Sequence, residues 1–402
     1  MLYDLTVVGG GPAGATCARL AAEKGLDVIL LEKAHHPRPK PCGGALGPQA
    51  IHHLDLDITP VIERTFRAAV VQTPSGHKVT LESDDLIGHI VSRTQFDALL
   101  FQGAIDAGVE VVEGVEVVGV EQLRTGIRAL TVGDSYRSHL LVGADGVNSI
   151  VAKELGIRTS WSSKDFGVCI VADNVVPEDA EPTKVREDDE SSHAIELYFG
   201  LVSWGYGWCF PKKRGFNIGI GCRADKVNDL QKVWERFVTN IERKKGSKLD
   251  IPDKVSHRIP LGGRVTRFTG RRSLLIGDAA GLVSPLTGEG ISYAIESGRL
   301  AAEVAIETVK KQTPLHIIEY EKRLKKTIGR ELSDTRWIAG ILNRSRRHTD
   351  ILFHVAAEDA LMKEYMTNIV SRVTTFSDVK SKVMKRMLTK HPLKSIRLGL
   401  RS

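Results

Sequence analysis

The stretch DLTVVGGGPAGATCARLAAEKGLDVILLE, residues 4–32, restricts the fold more than any other part of this chain. DLTVV is a short apolar run, GGGPAG a glycine-rich turn, the residues after it a helical pattern, and LDVILLE a second buried strand. Together they make a βαβ unit. Gly9, Gly11 and Gly14 form G-x-G-x-x-G between strand and helix. Gly9 permits the tight turn, Gly11 lets the backbone approach a pyrophosphate, and Gly14 lets the helix close on the strand. Phosphates then sit at the positive end of the helix dipole, with Pro12 and Ala13 in the same cradle. Glu32 ends the second strand, where a carboxylate accepts hydrogen bonds from ribose hydroxyls, and Lys33 follows it. An acid there repels a 2′-phosphate, which disfavours NADP in this site. A glycine-rich turn alone is a weak signal; the strand before it, the helix after it and the acid make it strong.

Farther along, SRTQFDALLFQGAIDAG (92–108) has helical periodicity between a capping Ser92 and a stop at Gly108. VEVVEGVEVVGVEQL and HLLVGADG read as strands. From 156 to 260 the texture changes to alternating, aromatic-rich segments (DFGVCIVADNV, AIELYFG, YGWCFPKK, FNIGIGC), which suggest an antiparallel sheet. One helix, VNDLQKVWERFVTNIERKKG, crosses that region, and beyond Pro314 the chain reads as helices to its end. The expected fold class is α/β (α+β overall): a Rossmann-type dinucleotide-binding domain, an interleaved antiparallel-sheet substrate domain and a C-terminal helical region. The first is expected over 1–65, 90–155 and 262–312, the second over 66–89 and 156–261, the third over 313–402.

Two further turns place acids at strand ends. In LLIGDAAGLVSPLTGEG (274–290), Asp278 is placed to accept a hydrogen bond from a polyol hydroxyl. Gly288 and Gly290 would leave bare backbone N–H groups where the next helix opens at Ile291. A simple N-cap accounts for Asp278 but not for the small-residue run. In GADGVNSIVAKELG, Asp145 and Gly146 end another strand, and an Asx turn opening a helix is the plainer account. In this order and spacing the segments resemble the FAD-dependent hydroxylase superfamily of the p-hydroxybenzoate hydroxylase type, over most of residues 1–310. The resemblance implies FAD, with the GD turn on its ribityl chain, Arg93 on the helix passing its pyrophosphate, and backbone near Val117 against adenine. There is one G-x-G-x-x-G, so no second nucleotide domain houses NAD(P)H and the reductant has to come and go.

Two segments narrow the chemistry. KPCGGALG and YGWCFPKK are similar to the geranylgeranyl reductase family, which carries a P-C-G-G-like element and a Y-x-W-x-F-P motif. The matches are Pro41-Cys42-Gly43-Gly44 and Tyr206, Trp208, Phe210 and Pro211. The resemblance implies saturation of isolated C=C bonds in geranylgeranyl chains, and the basic helical end points to the archaeal digeranylgeranylglycerophospholipid reductase type. Gly43 and Gly44 are then expected to let the backbone lie against the isoalloxazine ring, with Ala45 beside them and Cys42 over the reactive face. An isolated alkene has no carbonyl to polarise it. Hydride from flavin N5 must be matched by a proton to the other carbon, from Cys42 or a water it orders. A small packing residue is the alternative role for Cys42. Alternation puts Tyr206, Trp208 and Phe210 on one strand face and Cys209 on the other, either as walls of a slot for an apolar chain or as an ordinary half-buried sheet face.

Five scattered cysteines without a C-x-x-C argue against a disulfide framework and a metal cluster, so no metal is expected. No run approaches the roughly 18 apolar residues of a membrane span. A strand beginning almost at Met1 leaves no room for a targeting peptide, so the chain is expected in the cytoplasm. The formal charge of +7 gathers in the tail, where Lys380, Lys382, Lys385, Arg386, Lys390, Lys394, Arg397 and Arg401 face one acid, Asp378. Interspersed Val, Met, Leu and Ile make that tail a candidate interfacial helix in peripheral contact with an anionic membrane. The charge also suits ferredoxin as electron donor, NAD(P)H being the other choice. Nucleic acid is not expected, since no binding module accompanies the charge. Two other readings compete: a flavin-dependent monooxygenase or halogenase, and a non-catalytic prenyl-lipid carrier.

Overall fold

Leu2–Val8 lies between Val28–Glu32 and Ser135–Gly143, both parallel to it, and is buried along most of its length. Continuous Val, Ile and Leu runs suit a strand covered on both faces. The chain is described here from a computed structural model over residues 1–83, 86–178, 194–311, 317–370 and 373–400. Pro314, the expected division at 312/313, and Arg401 lie outside the described residues. The first sheet runs Glu110–Glu113, Val28–Glu32, Leu2–Val8, Ser135–Gly143, Ile127–Thr131, Val117–Gln122, with Ser273–Leu275 parallel to Ser135–Gly143. Helix Pro12–Ala22 packs against Ile291–Lys311, so tightly that a Cβ on Gly298 would press into the Ala13 carbonyl. Leu5, Ile29, Leu30 and Leu31 are at most 1% exposed. Burial of each such side chain stabilises by about 1.5–3 kcal/mol.

The second sheet runs Leu249–Asp250, Phe166–Pro177, Phe216–Arg223, Gly205–Pro211, Ala194–Phe199, Ala68–Gln72, Lys78–Glu82, with Val255–Pro260 also on Phe166–Pro177. Its pairs are antiparallel with one exception: Ala194–Phe199 runs parallel to Ala68–Gln72. Alternation in sequence reports which face is buried, and that is the same for either strand direction. Helix Leu230–Lys245 covers one face through Trp234, Phe237 and Ile241, meeting Cys209, Ile218 and Ile220, and ends on a left-handed Gly246. A third sheet, Ala45–Leu46, Gly88–Val91 and Ile62–Phe66, was not apparent from the sequence.

The last part of the chain is helical: Ile317–Leu324, a π turn at Lys325–Gly329, Arg330–Leu342, Arg346–Glu358, Ala360–Val370, Phe376–Lys390 and Pro392–Leu398. Val379, Met387 and Leu398 turn inward and are buried, so they are not offered to a bilayer. Three of the tail's cations are paired within the protein, Lys380 with Asp334 (2.6 Å), Arg386 with Asp359 (2.7 Å) and Lys394 with Glu358 (2.5 Å). Among the described residues no helix is long and apolar enough to cross a membrane.

Candidate active site

Close approach shapes the turn after the first strand. Gly9 has φ +104°, and a Cβ there would run into the Ala144 carbonyl; one on Gly14 would run into Gly9 itself. Gly11 is the N-cap of helix Pro12–Ala22, and no side chain caps that end. Arg38 stands over it: a Cβ on Gly11 would be 3.7 Å from Arg38 Nη2. A helix N-terminus without a side-chain cap, facing a guanidinium, is an anion site that suits a diphosphate. Arg38 is itself held 3.3 Å from Asp97 and 3.9 Å from Glu32. Sequence reading missed Arg38, which no motif marks.

Glu32 is buried, and its oxygens accept from Gly10 N (2.6 Å) and Ala34 N (3.0 Å). A carboxylate offers about four lone-pair sites, so two remain for ribose hydroxyls. Val117 begins the strand next to this point, its side chain buried, just after Val115 N donates to Glu32 O (3.0 Å). Lys33 is exposed and lies 3.7 Å from Glu116, away from the cradle. Asp145 accepts from Ser149 Oγ (2.6 Å) and Val151 N (3.1 Å), at the opening of helix Ile150–Glu154. Burial pushes its pKa up against those bonds. The plain capping account covers what Asp145 does in the fold.

The loop that carries Cys42 departs from expectation in two ways. Gly43 is bare because Phe210 and Trp208 occupy its side-chain space: a Cβ there would lie 2.7 Å from the Phe210 ring and 3.3 Å from Trp208 Nε1. Gly44 has φ +75°, and a Cβ on it would meet the Val91 carbonyl. Packing by the protein itself thus requires both glycines, without any appeal to a flavin ring. Arg93 is buried and bonded to Asp97 through both Nε (2.8 Å) and an Nη (2.9 Å), and the same Asp97 lies 3.3 Å from Arg38. Burial opposes its charge, but Asp97 and Cys42 outweigh burial and keep the guanidinium protonated. Its charge is directed at the Cys42 thiol. The Gly44 N–H also points at Cys42 Sγ, at 3.4 Å.

Two cavities meet behind this loop. One, about 200 Å³, is lined by Cys42, Gly43, Cys169, Trp208, Cys222 and Ile291, with Gly288 and Gly290 on its rim. The other, about 190 Å³, is almost wholly apolar, and Phe66, Leu81, Leu197, Phe353, Met366 and Val383 line it. Both share Ala45, Phe199, Tyr206, Phe210 and Leu286. Tyr206 marks the seam, its hydroxyl donating to Thr287 O. Burial, then Cys42 and Cys169, push the Tyr206 pKa up, so it stays a donor at neutral pH. Alternation places Tyr206, Trp208 and Phe210 as expected, with Cys209 on the far face against helix Leu230–Lys245. Pro211 lines neither cavity; it pairs with Phe216 at the hairpin end. The helices after residue 330 supply much of the apolar wall, which no local motif announces.

Charges gather beside the residues that precede Cys42. Lys40 Nζ lies 2.8 Å from His257 Nε2. Burial, then Lys40 and Arg93, push His257 down to about 4, so its nitrogen accepts from the lysine. Burial pushes Asp278 up, while Lys40 and Arg93 pull it back. The helix at Ile291 is not bare, as expected from its glycines: Glu289 Oε1 accepts from Ser292 N at 2.6 Å. Lys40 was legible only as a neighbour of Cys42, and His257 carried no signal.

Comparison with known proteins fits this geometry. The FAD binding domain family model matches residues 3–310. The digeranylgeranylglycerophospholipid reductase of Methanosarcina acetivorans is 30% identical over 347 residues, 82% of each chain. This chain belongs to the geranylgeranyl reductase family. It is an FAD-dependent reductase, and the glycine cradle, the uncapped helix end and Arg38 are the residues that fit FAD's diphosphate. A second family relative, the menaquinone reductase of Mycolicibacterium smegmatis, is 33% identical over 318 residues, 75% of this chain and 76% of that one. Among solved structures, a geranylgeranyl bacteriochlorophyll reductase-like protein of Thermoplasma acidophilum superposes with a TM-score of 0.80 at 25% identity, over 99% of this chain and 98% of that one.

Proposed function

We propose that this reductase saturates isolated C=C bonds in the geranylgeranyl chains of isoprenoid membrane-lipid precursors. The observation that carries the reading is the adjacency of the two cavities: a thiol-lined chamber and an apolar slot share Tyr206 and Phe210 in their walls. Aromatic and aliphatic walls orient a flexible hydrocarbon without hydrogen bonds. In this reading 1–65, 90–155 and 262–312 hold FAD, 66–89 and 156–261 hold the chain to be reduced, and 313–402 close the slot.

Reduced FAD supplies the hydride for such a reaction. The protein's task is the proton. The Cys42 S–H bond breaks as a C–H bond forms on the second alkene carbon, and the electron pair stays on sulfur. Arg93 and the Gly44 N–H face that sulfur, and charge-assisted donors stabilise the negative charge left there. The alkene gains two hydrogens in all. A ferredoxin or NAD(P)H resupplies electrons, and the exposed cations and apolar residues of the tail bring the slot to an anionic membrane face.

The test is anaerobic incubation of the flavin-loaded protein with dithionite and a geranylgeranyl-chain glycerophospholipid, followed by mass spectrometry. Stepwise gain of two hydrogens per alkene is expected. A product that instead gains oxygen or halogen when air is admitted would make it a monooxygenase or halogenase, and an unchanged lipid handed intact to acceptor vesicles would make it a carrier. A polyprenyl quinone is the second substrate to try, because one family relative is named a menaquinone reductase. Hydrogen gain confined to the quinone would move the assignment there.

A further inference from the structure

Asn217 sits in strand Phe216–Arg223, one strand away from the Cys42 loop's aromatic neighbours, and is 2% exposed. Three of the four hydrogen-bonding positions of its side chain are taken, both N–H groups among them. Nδ2 donates to the Cys42 carbonyl (2.9 Å) and to Asp173 Oδ1 (2.9 Å), while Oδ1 accepts from Trp208 Nε1 (2.8 Å). The amide orientation follows from chemistry alone. An indole N–H only donates, and a carbonyl and a carboxylate only accept, so the reversed amide would break all three. Asp173 is held in turn by Lys212, whose Nζ donates to both of its oxygens at 2.9 and 3.0 Å. Lys212 is 3% exposed and reaches toward Glu63 at 3.8 Å, and its carbonyl accepts from Arg64 Nε (3.0 Å).

We infer that Asn217 is a positioning residue that fixes the Cys42 backbone and the Trp208 ring in one frame, so that thiol and aromatic wall meet the substrate in register. Two contacts outside the hydrogen bonds support this. A Cβ on Gly43 would crowd Trp208 Nε1 at 3.3 Å, and a Cβ on Gly219 would overlap the Trp208 ring itself. Trp208 is therefore clasped between the Cys42 loop and its own neighbouring strand, and Asn217 is the polar tie between them. The inference rests on the lipid-reductase reading for what the frame serves, and on the bonds above for the frame itself.

Asn217→Asp keeps the acceptor for Trp208 but sets a carboxylate against the Cys42 carbonyl and Asp173. Asn217→Leu removes all three bonds at similar volume. Asp173→Ala, at a half-exposed site, loosens the tie from its outer end and serves if the buried variants fail to fold. In flavin-loaded protein, the iodoacetamide labelling rate of Cys42, mapped by mass spectrometry, should change by about tenfold or more in each folded variant. Turnover number should fall about 10–100-fold at little-changed KM, as expected for misplacement of reacting groups by about 1 Å. In Asn217→Leu, Trp208 emission, obtained by difference against Trp208→Phe, should shift with the lost N–H bond. Folded variants with unchanged Cys42 labelling and unchanged Trp208 emission would overturn the inference whatever the lipid assay gives. A labelling change in protein that reduces no lipid would uphold the frame and sink only the assigned reaction.

Discussion

Three thiols line the chamber, and their surroundings set them apart. Burial pushes Cys169 up to about 12 and Cys222 up to about 11, so neither is ionised at neutral pH. Cys42 alone of the three is faced by Arg93 and a backbone N–H. Cys42→Ala should therefore bind FAD as the parent does and lower turnover about 10²–10⁴-fold, the usual size of a lost general acid. Single-turnover bleaching and recovery of flavin absorbance would show it, and Cys169→Ala serves as the control expected to stay near parent rate. Gly43→Ala tests the packing account. Its Cβ would come 2.7 Å from the Phe210 ring, and overpacking of this kind costs about 1–3 kcal/mol, readable in a denaturant titration. His257 gives a pH signature. Its folded value is about 4, against about 6.5 when unfolded. As pH falls the unfolded chain takes up the proton first, so stability is complete above about 6.5, declines between 6.5 and 4, and is flat below. His257→Gln should remove that part of the decline in unfolding measured across pH 7 to 4. At this scale Cys42, Gly43 and Trp208 were legible because a motif names them. Arg38, Asn217 and His257 were not, because each is placed by a partner far off in sequence: Asp97 for Arg38, Cys42 for Asn217 and Lys40 for His257.

The βαβ start was readable element by element, since glycines with positive φ and a carboxylate at a strand end are local demands. The helix Leu230–Lys245 was equally plain, with Asp229 capping its start (Lys232 N to Asp229 Oδ1, 3.0 Å) and Gly246 ending it. The short sheet built on Ala45–Leu46 was not, because strands this short carry no period to detect. The tail is amphipathic, with its apolar residues divided between the interior and the surface. Phe376 and Val383 line the apolar slot, and Met387 and Leu398 are buried, so the apolar side of the tail serves the protein's own interior. What faces outward is different: Leu393 and Ile396, each 71% exposed, and the exposed Lys382, Lys385, Lys390 and Arg397 of the same two helices. Two exposed aliphatic side chains and these cations suit the surface of an anionic bilayer, where each cation contributes about 1 kcal/mol. Leu393→Asp with Ile396→Asp should abolish flotation with phosphatidylserine vesicles and leave flavin content and thermal unfolding unchanged. Equal flotation of parent and double variant would mean that this face does not meet the membrane.

Across the whole molecule, segments distant in sequence are brought together: the glycine turn at 9–14, Arg38, and the turn at Asp278, where a Cβ on Gly277 would lie 2.9 Å from Ala13. FAD bound across them stabilises the folded chain by mass action, about 2.7 kcal/mol at a free concentration 100 times its dissociation constant. With an unfolding entropy that scales with 402 residues, this amounts to a rise in midpoint temperature of about 3 °C. The size of the rise is less informative than what removes it. Gly14→Val drives a side chain into the Gly9 backbone and separates helix from strand where the diphosphate sits. That variant should show no rise on adding FAD at any concentration that shifts the parent. Trp208→Phe, which changes the thiol-lined chamber and leaves the first helix untouched, should show the full rise. If Gly14→Val were stabilised by FAD as the parent is, the cofactor would not be held at the first helix. The apolar slot would then be joined to no source of hydride, since its own walls carry none.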